Sequence, residues 1–175
     1  GGKQKDAVAH FQKAVFIKPS FATAHYNLGN VLKELGQLDE AVSSYHNGLS
    51  VNPDYAEAYN NLGNTLKELG RLDDAVAHYH KAIALNPDYA EAHNNLGKAF
   101  KELGRLDDAV GHYHKALANK LSFVEAYSNL GSVFLQMANI DDAIVCYHKA
   151  LAIKPDDADA HYNLGMALQQ LGQLD

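Results

Sequence analysis

Along residues 54–70, DYAEAYNNLGNTLKELG, apolar or small residues fall at Ala58, Tyr59, Leu62, Gly63, Leu66 and Leu69. Steps of i, i+3 and i+4 trace one stripe of a helix. Gly70 follows the last periodic residue and predicts a C-terminal cap. Along 72–85, LDDAVAHYHKAIAL, the stripe resumes through Leu72, Ala75, Val76, Tyr79 and Ile83, and Pro87 stops it. The pattern predicts two helices, A then B. Ahead of the A stripes stand Ser20…Thr23, Asp54…Glu57, Asp88…Glu91, Ser122…Glu125 and Asp156…Asp159. Most of these read as capping boxes, which satisfy orphan N–H groups at a helix start.

The same pattern returns every 34 residues. The triplet Asn-Leu-Gly begins at Asn27, Asn61, Asn95, Asn129 and Asn163. In register with it run Gly36, Gly70, Gly104 and Gly172, with Ala138 the exception; then Ala41, Ala75, Ala109 and Ala143; then Tyr45, Tyr79, Tyr113 and Tyr147; then Pro53, Pro87 and Pro155, with Leu121 the exception. A fixed period of this length means stacked repeats, not an irregular core. The expected organisation is a single solenoid over 1–175. It has a half repeat 1–21, full repeats 22–55, 56–89, 90–123 and 124–157, and a half repeat 158–175. The opening GGKQKDAV carries no initiator Met, and the chain is expected to be a piece of a longer protein.

Composition changes this picture little. The 175 residues carry 15 Lys plus Arg against 21 Asp plus Glu, a formal net charge of −6. That balance argues against nucleic acid, whose phosphates need a basic face. No apolar run approaches the ~18 residues of a membrane span, and no signal peptide is evident. The single Cys146 allows no internal disulfide and favours a reducing, cytoplasmic setting.

These columns are similar to the tetratricopeptide repeat: a 34-residue helix–turn–helix with Leu-Gly, Ala-x-x-x-aromatic and terminal Pro positions, matched over the whole chain. The family's early Trp-like slot holds His25, Tyr59, His93, Tyr127 and His161. Within the family, the Asn-Leu-Gly column most resembles the repeat arm of O-linked N-acetylglucosamine transferases and related bacterial proteins. The resemblance implies an all-α, right-handed superhelical solenoid of antiparallel helix pairs, with helices A on its concave wall.

The Asn-Leu-Gly triplet raises a question, because Asn and Gly are poor helix formers. Gly29, Gly63, Gly97, Gly131 and Gly165 lie on the apolar stripe, where a missing side chain lets a neighbouring helix approach. Asn61 lies off that stripe, on a polar one with Glu57, Asn64 and Glu68. A side-chain amide donates and accepts as a peptide group does. Helix layers advance ~8–10 Å and an extended chain about 3.3 Å per residue, so one Asn meets about every third peptide unit. By resemblance, Asn27, Asn61, Asn95, Asn129 and Asn163 form a ladder holding an extended peptide. The plainer alternative is that they bond a neighbouring helix or water.

Other polar columns are weaker candidates. Asn30, Asn64 and Lys98 share one column, and Lys33, Lys67 and Lys101 another that ends in Leu135 and Gln169. The lysines read either as peptide contacts or as a solvated face. Glu57, Glu91, Glu125 and Asp159 read first as caps. His-Tyr-His at 78–80 and 112–114 is no metal site, since i and i+2 point about 200° apart on a helix. The column His46, His80, His114 and His148 reads as surface, and Cys146 as a surface or half-buried thiol without chemistry. No catalytic motif, cofactor fingerprint or metal-ligand spacing is present. The carboxylate clamp of chaperone-tail-binding repeats is rejected: its positions hold Tyr26, Asn30, Asn61, Glu91 and Asn95, with every cation missing.

The expected function is a non-catalytic protein-interaction scaffold binding an extended protein or peptide segment. One alternative is the substrate-recognition arm of a glycosyltransferase, for which the sequence following Asp175 is the discriminator. Another is weak head-to-tail self-association through the end helices, whose apolar faces include Val8, Phe11 and Val15 at one end and Leu164, Leu168 and Leu171 at the other. Asn119 and Leu121, where other repeats have an apolar residue and Pro, lead us to expect the third-to-fourth junction to be the least regular.

Overall fold

The computed structural model describes residues 2–172, and these form ten α-helices and no strand. Gly1 and residues 173–175 lie outside the described residues, and with them the outer limits of the two expected half repeats. The chain divides into two compact units, 1–87 and 88–175. The first holds α1 (Gly2–Ile17), α2 (Ala22–Glu34), α3 (Leu38–Val51), α4 (Ala56–Glu68) and α5 (Leu72–Leu85). The second holds α6 (Ala90–Glu102), α7 (Leu106–Asn119), α8 (Val124–Gln136), α9 (Ile140–Ile153) and α10 (Ala158–Leu171). Helices α2, α4, α6, α8 and α10 are the A helices, and α1, α3, α5, α7 and α9 the B helices.

Inside each A/B pair the core is the same. Leu28, Leu62, Leu96 and Leu130 from A pack with Ala41, Ala75, Ala109 and Ala143 and with Tyr45, Tyr79, Tyr113 and Tyr147 from B. The four tyrosines are all 0% exposed. A fully buried side chain of this size stabilises by about 1.5–3 kcal/mol. The glycine of the triplet is what admits the ring. A Cβ on Gly29, Gly63, Gly97 or Gly131 would stand 2.7, 2.6, 2.7 or 2.8 Å from Cε1 of Tyr45, Tyr79, Tyr113 or Tyr147. Gly165 departs from the expectation: among the described residues nothing lies within 4 Å of its Cβ position, and it is exposed.

The A-to-B turns follow the predicted glycines. Gly36, Gly70 and Gly104 sit at φ near +75°, where a Cβ is costly. The backbone closes with Gln37 N to Leu32 O, Arg71 N to Leu66 O and Arg105 N to Phe100 O, each at 2.9 Å. Ala138 adopts the same left-handed conformation, φ +60°, although it carries a Cβ.

Two expectations fail at the B-to-A turns. The predicted capping boxes do not form at α2, α4, α6 or α8. Those helices start one residue later, behind Phe21, Tyr55, Tyr89 and Phe123, none of which makes a side-chain cap bond. Asp54 lies instead in a turn, its N–H donating to Asn52 Oδ1 at 3.3 Å. The aromatic before the helix contributes packing: Tyr55 lies 4.8 Å from the Tyr26 ring. Among the described residues only α10 is capped by a carboxylate, and by Asp157 rather than the expected Asp156, Asp157 accepting from Ala160 N at 3.0 Å. The third-to-fourth junction is also regular. α7 has 14 residues like α3, α5 and α9. Lys120 before Leu121 takes φ −146°, ψ 89°, close to the −132°, 89° of Lys154 before Pro155. The extended turn is therefore set by helix packing; proline reinforces it but is not required. What changes is the surface, with Leu121 77% exposed.

Candidate functional site: the polar wall of the A helices

All eleven residues singled out from the sequence are half-buried on A helices, neither packed away nor fully in solvent. In the first unit an open cleft of about 470 Å³ is lined by Asn30, Lys33, Glu34, Tyr45, Asn61 and Glu68. In the second, a cleft of about 530 Å³ is lined by residues that include Lys101, Glu125, Ser128, Asn129, Ser132 and Asn163. Asn30, Lys33 and Asn61 are thus brought together in one place, and Lys101, Asn129 and Asn163 in another. Asn27, Asn64, Lys67, Asn95 and Lys98 line neither cleft.

The first unit's wall is a closed hydrogen-bond network. Tyr45 Oη donates to Asn30 Oδ1 at 2.7 Å. Asn61 Nδ2 donates to the same oxygen at 3.0 Å and to Tyr26 Oη at 2.9 Å. Both lone pairs of Asn30 Oδ1 and both amide hydrogens of Asn61 are used. Tyr79 Oη likewise donates to Asn64 Oδ1 at 2.7 Å. Burial pushes the Tyr45 hydroxyl well above its ordinary pKa, so it stays a donor. Lys33 Nζ pairs with Glu68 Oε1 at 3.0 Å, one A helix to the next.

The second unit's wall uses different groups. Asn129 Nδ2 donates to Asn94 Oδ1 at 3.1 Å, and Asn94 Nδ2 to Glu125 Oε1 at 3.3 Å. Lys98 Nζ reaches Glu125 Oε1 at 3.0 Å. Burial alone would raise the Glu125 carboxyl; the bonds from Lys98, Asn94 and Asn129 outweigh it and hold it below the usual value. Lys101 Nζ donates to Ser132 Oγ at 2.7 Å, and burial lowers its pKa. Tyr113 and Tyr147 are fully buried, and among the described residues their hydroxyls have no hydrogen-bond partner.

Asn61 and Asn129 therefore do bond the neighbouring A helix, as the plainer alternative holds, while also lining a cleft. With both amide hydrogens of Asn61 engaged and its Oδ1 accepting from Asn60 Nδ2 at 3.4 Å, the remaining lone pair of that oxygen is what it can offer to a peptide N–H. The glutamates do not act as the expected caps. Glu91 pairs with Lys120 at 2.7 Å, which holds its carboxyl below the ordinary value. Glu125 is a wall residue, and its place four residues before Asn129 is the signal in the sequence that points there. Ser128, Ser132, Asp157, Asp159 and Tyr162 also line the second cleft, and the sequence reading did not single them out for it.

The remaining candidates settle as packing or surface. His46, His80, His114 and His148 are exposed. His25 and His93 are buried, and His25 Nε2 donates to Pro19 O at 2.9 Å. Cys146 is buried rather than superficial, and burial pushes its thiol up to about 11. Among the described residues no group of three or more His, Cys, Asp or Glu could hold a metal ion, and no helix is long and apolar enough to cross a membrane.

Helix pairs with a tyrosine seated on a glycine define a helical repeat protein. The TPR repeat family model matches residues 1–36, 29–70, 63–104 and 139–172, and a tetratricopeptide repeat model matches 90–120. The chain belongs to the tetratricopeptide repeat family. Among solved structures it is similar to MamA, at 27% identity and TM-score 0.83 over 90% of this chain and 92% of that one. It is similar to YrrB, described as a TPR protein with an unusual peptide-binding site, at 25% identity and TM-score 0.77 over 92% and 83%. It is similar as well to a thermophilic TPR protein of Thermus thermophilus, at 27% identity and TM-score 0.75 over 96% and 92%. No curated protein matches it significantly. The chain is an all-α helical repeat protein with the architecture of protein-interaction scaffolds.

Proposed function

We propose that the A-helix wall, the concave face in the family it belongs to, holds an extended protein segment by its backbone. The Asn column supplies the repeated contact. The observation that carries this is the coincidence of cleft and column: Asn61 lines the opening in the first unit, and Asn129 and Asn163 the one in the second. The peptide-binding site described for YrrB is consistent with such a use. The chain itself is read as non-catalytic. Service as the recognition arm of a glycosyltransferase is a special case of this reading, drawn from the Asn-Leu-Gly resemblance. Self-association has narrower support: of the expected end faces only Leu168 is exposed (50%), Leu164 is buried and Val8, Phe11, Val15 and Leu171 are half-buried, although Phe16 and Ile17 elsewhere on α1 are exposed.

The test is peptide display. Randomised nine-residue peptides are selected on the immobilised chain, and recovered peptides are titrated against wild type and Asn61→Ala with Asn129→Ala. Each neutral hydrogen bond contributes about 0.5–1.5 kcal/mol, so the double variant should bind roughly tenfold more weakly. Unchanged affinity, with a large drop in melting temperature, would make the column structural only.

A further inference from the structure

We propose that the second unit takes an acidic side chain of the bound segment at Lys101. This deepens the peptide-binding reading and rests on it. In the first unit, the lysine of helix A finds its anion within the chain. Lys33 Nζ lies 3.0 Å from Glu68, 35 residues further on. The residue 35 beyond Lys101 is Gln136. With no carboxylate in that place, the Lys101 ammonium turns to a neutral acceptor, Ser132 Oγ at 2.7 Å. It is half-buried in the wall of the cleft. A cation partly removed from water gains more from an anion than an exposed one does.

The acids of the cleft do not supply that anion. Glu125 is held by Lys98 at 3.0 Å. Asp157 is held by Lys154 at 3.0 Å and caps α10 through Ala160 N at 3.0 Å. Asp159, on the first turn of α10, is exposed. One unmatched ammonium among three carboxylates suits a single carboxylate better than a dianion such as a phosphate, which the acids would repel.

One buried hydroxyl, that of Tyr147, points to the same place. Tyr45 and Tyr79 donate to Asn30 and Asn64 at 2.7 Å. At the matching positions the second unit has Lys98, which cannot accept, and Ser132, whose oxygen is engaged by Lys101. Tyr113 and Tyr147 are left without partners among the described residues. The Tyr147 ring lies against Gly131, the residue before Ser132. Ser132 Oγ keeps a second lone pair, but while it is held toward Lys101 it does not take the Tyr147 hydroxyl. A carboxylate that takes over the Lys101 ammonium leaves the serine hydroxyl free to turn toward Tyr147, so binding replaces a bond to a neutral acceptor by an ion pair and can satisfy a buried donor.

The experiment uses the same display of randomised nine-residue peptides on the whole chain. Wild type should enrich Asp or Glu at one position, and changing that residue to Asn in a synthesised peptide should weaken binding about fivefold. Lys101→Gln should remove the acidic preference. So should Gln136→Glu, which restores the partner 35 residues on and should melt no lower than wild type. Gln136→Glu, which lies outside the cleft lining, should bind the Asn peptide as wild type does. Persistence of the acidic preference in the variants, or peptides from wild type with no acidic position, overturns the proposal while leaving peptide binding intact. Recovery of no peptide overturns the peptide-binding reading itself.

Discussion

The walls of the two units are built on one backbone plan and finished differently. In unit 1–87, Asn30 and Asn64 receive the tyrosine hydroxyls and Glu68 neutralises Lys33. In unit 88–175, Lys98 and Ser132 occupy the asparagine places, Gln136 the glutamate place, and the buried hydroxyls of Tyr113 and Tyr147 find no partner among the described residues. Core columns that touch only within a helix pair are kept: glycine under tyrosine, leucine against alanine. On the wall the Asn27, Asn61, Asn95, Asn129 and Asn163 column is kept as well, while the columns beside it, of Asn30 and of Lys33 and Glu68, vary. A repeat protein can therefore change what it binds without disturbing what holds it up, because the two sets of residues lie on different stripes of the same helices.

The largest expected effect tests the shared part. Gly63→Ala in the first unit and Gly97→Ala in the second each force a Cβ to 2.6 or 2.7 Å from a buried tyrosine ring. Overpacking of this kind costs about 1–3 kcal/mol. Gly165→Ala meets nothing and should stabilise by up to about 1 kcal/mol through helix propensity. Guanidinium unfolding of the three variants checks this, and equal behaviour of all three would show that the tyrosine contact is not what selects glycine.

Next comes acid sensitivity of the first unit. His78 lies 5.9 Å from the Tyr59 ring and 5.7 Å from His46. Burial first, then the charges of His46 and Lys81, lower its pKa to about 4. The unfolded chain takes up the proton near pH 6.5 and the folded chain only near pH 4, so this stability is complete above pH 6.5 and is lost as pH falls toward 4. The loss should be on the order of 1–2 kcal/mol. His78→Gln should flatten the decline in an unfolding series from about pH 7 to about pH 4; an unchanged slope places the sensitivity elsewhere.

A smaller effect belongs to the second unit alone. Ala138 carries a Cβ at φ +60° where three other turns use glycine. Ala138→Gly should stabilise by about 0.5–1 kcal/mol, read as a rise in melting temperature. No rise would mean that the turn relaxes the strain.

Much of this is legible without coordinates. Period and stripes locate the helices, because a fixed 34-residue spacing of Leu, Gly, Ala and Tyr has one packing solution. The close approach at the glycines follows from their place on the apolar stripe, though not its partner, since Tyr79 lies 16 residues from Gly63 and its ring direction is tertiary. The capping boxes mislead because Asp-x-x-Glu looks alike whether Asp or the following aromatic begins the helix. The wall is legible as columns but not as a network. Spacing does not show that Asn61 Nδ2 reaches back to Tyr26, or that Lys101 lacks the partner Lys33 has.

The comparison rests most directly on the tyrosine hydroxyls, and one paired measurement tests it. Tyr79→Phe removes a 2.7 Å bond to Asn64 Oδ1, whereas Tyr113→Phe removes a buried hydroxyl that bonds no group among the described residues. Unfolding free energies of the two variants should differ in sign or nearly so. Tyr79→Phe should lose about 1 kcal/mol, and Tyr113→Phe should lose nothing or gain up to about 1 kcal/mol. Equal losses at both positions would contradict the account, for the second unit's wall would then be as complete as the first.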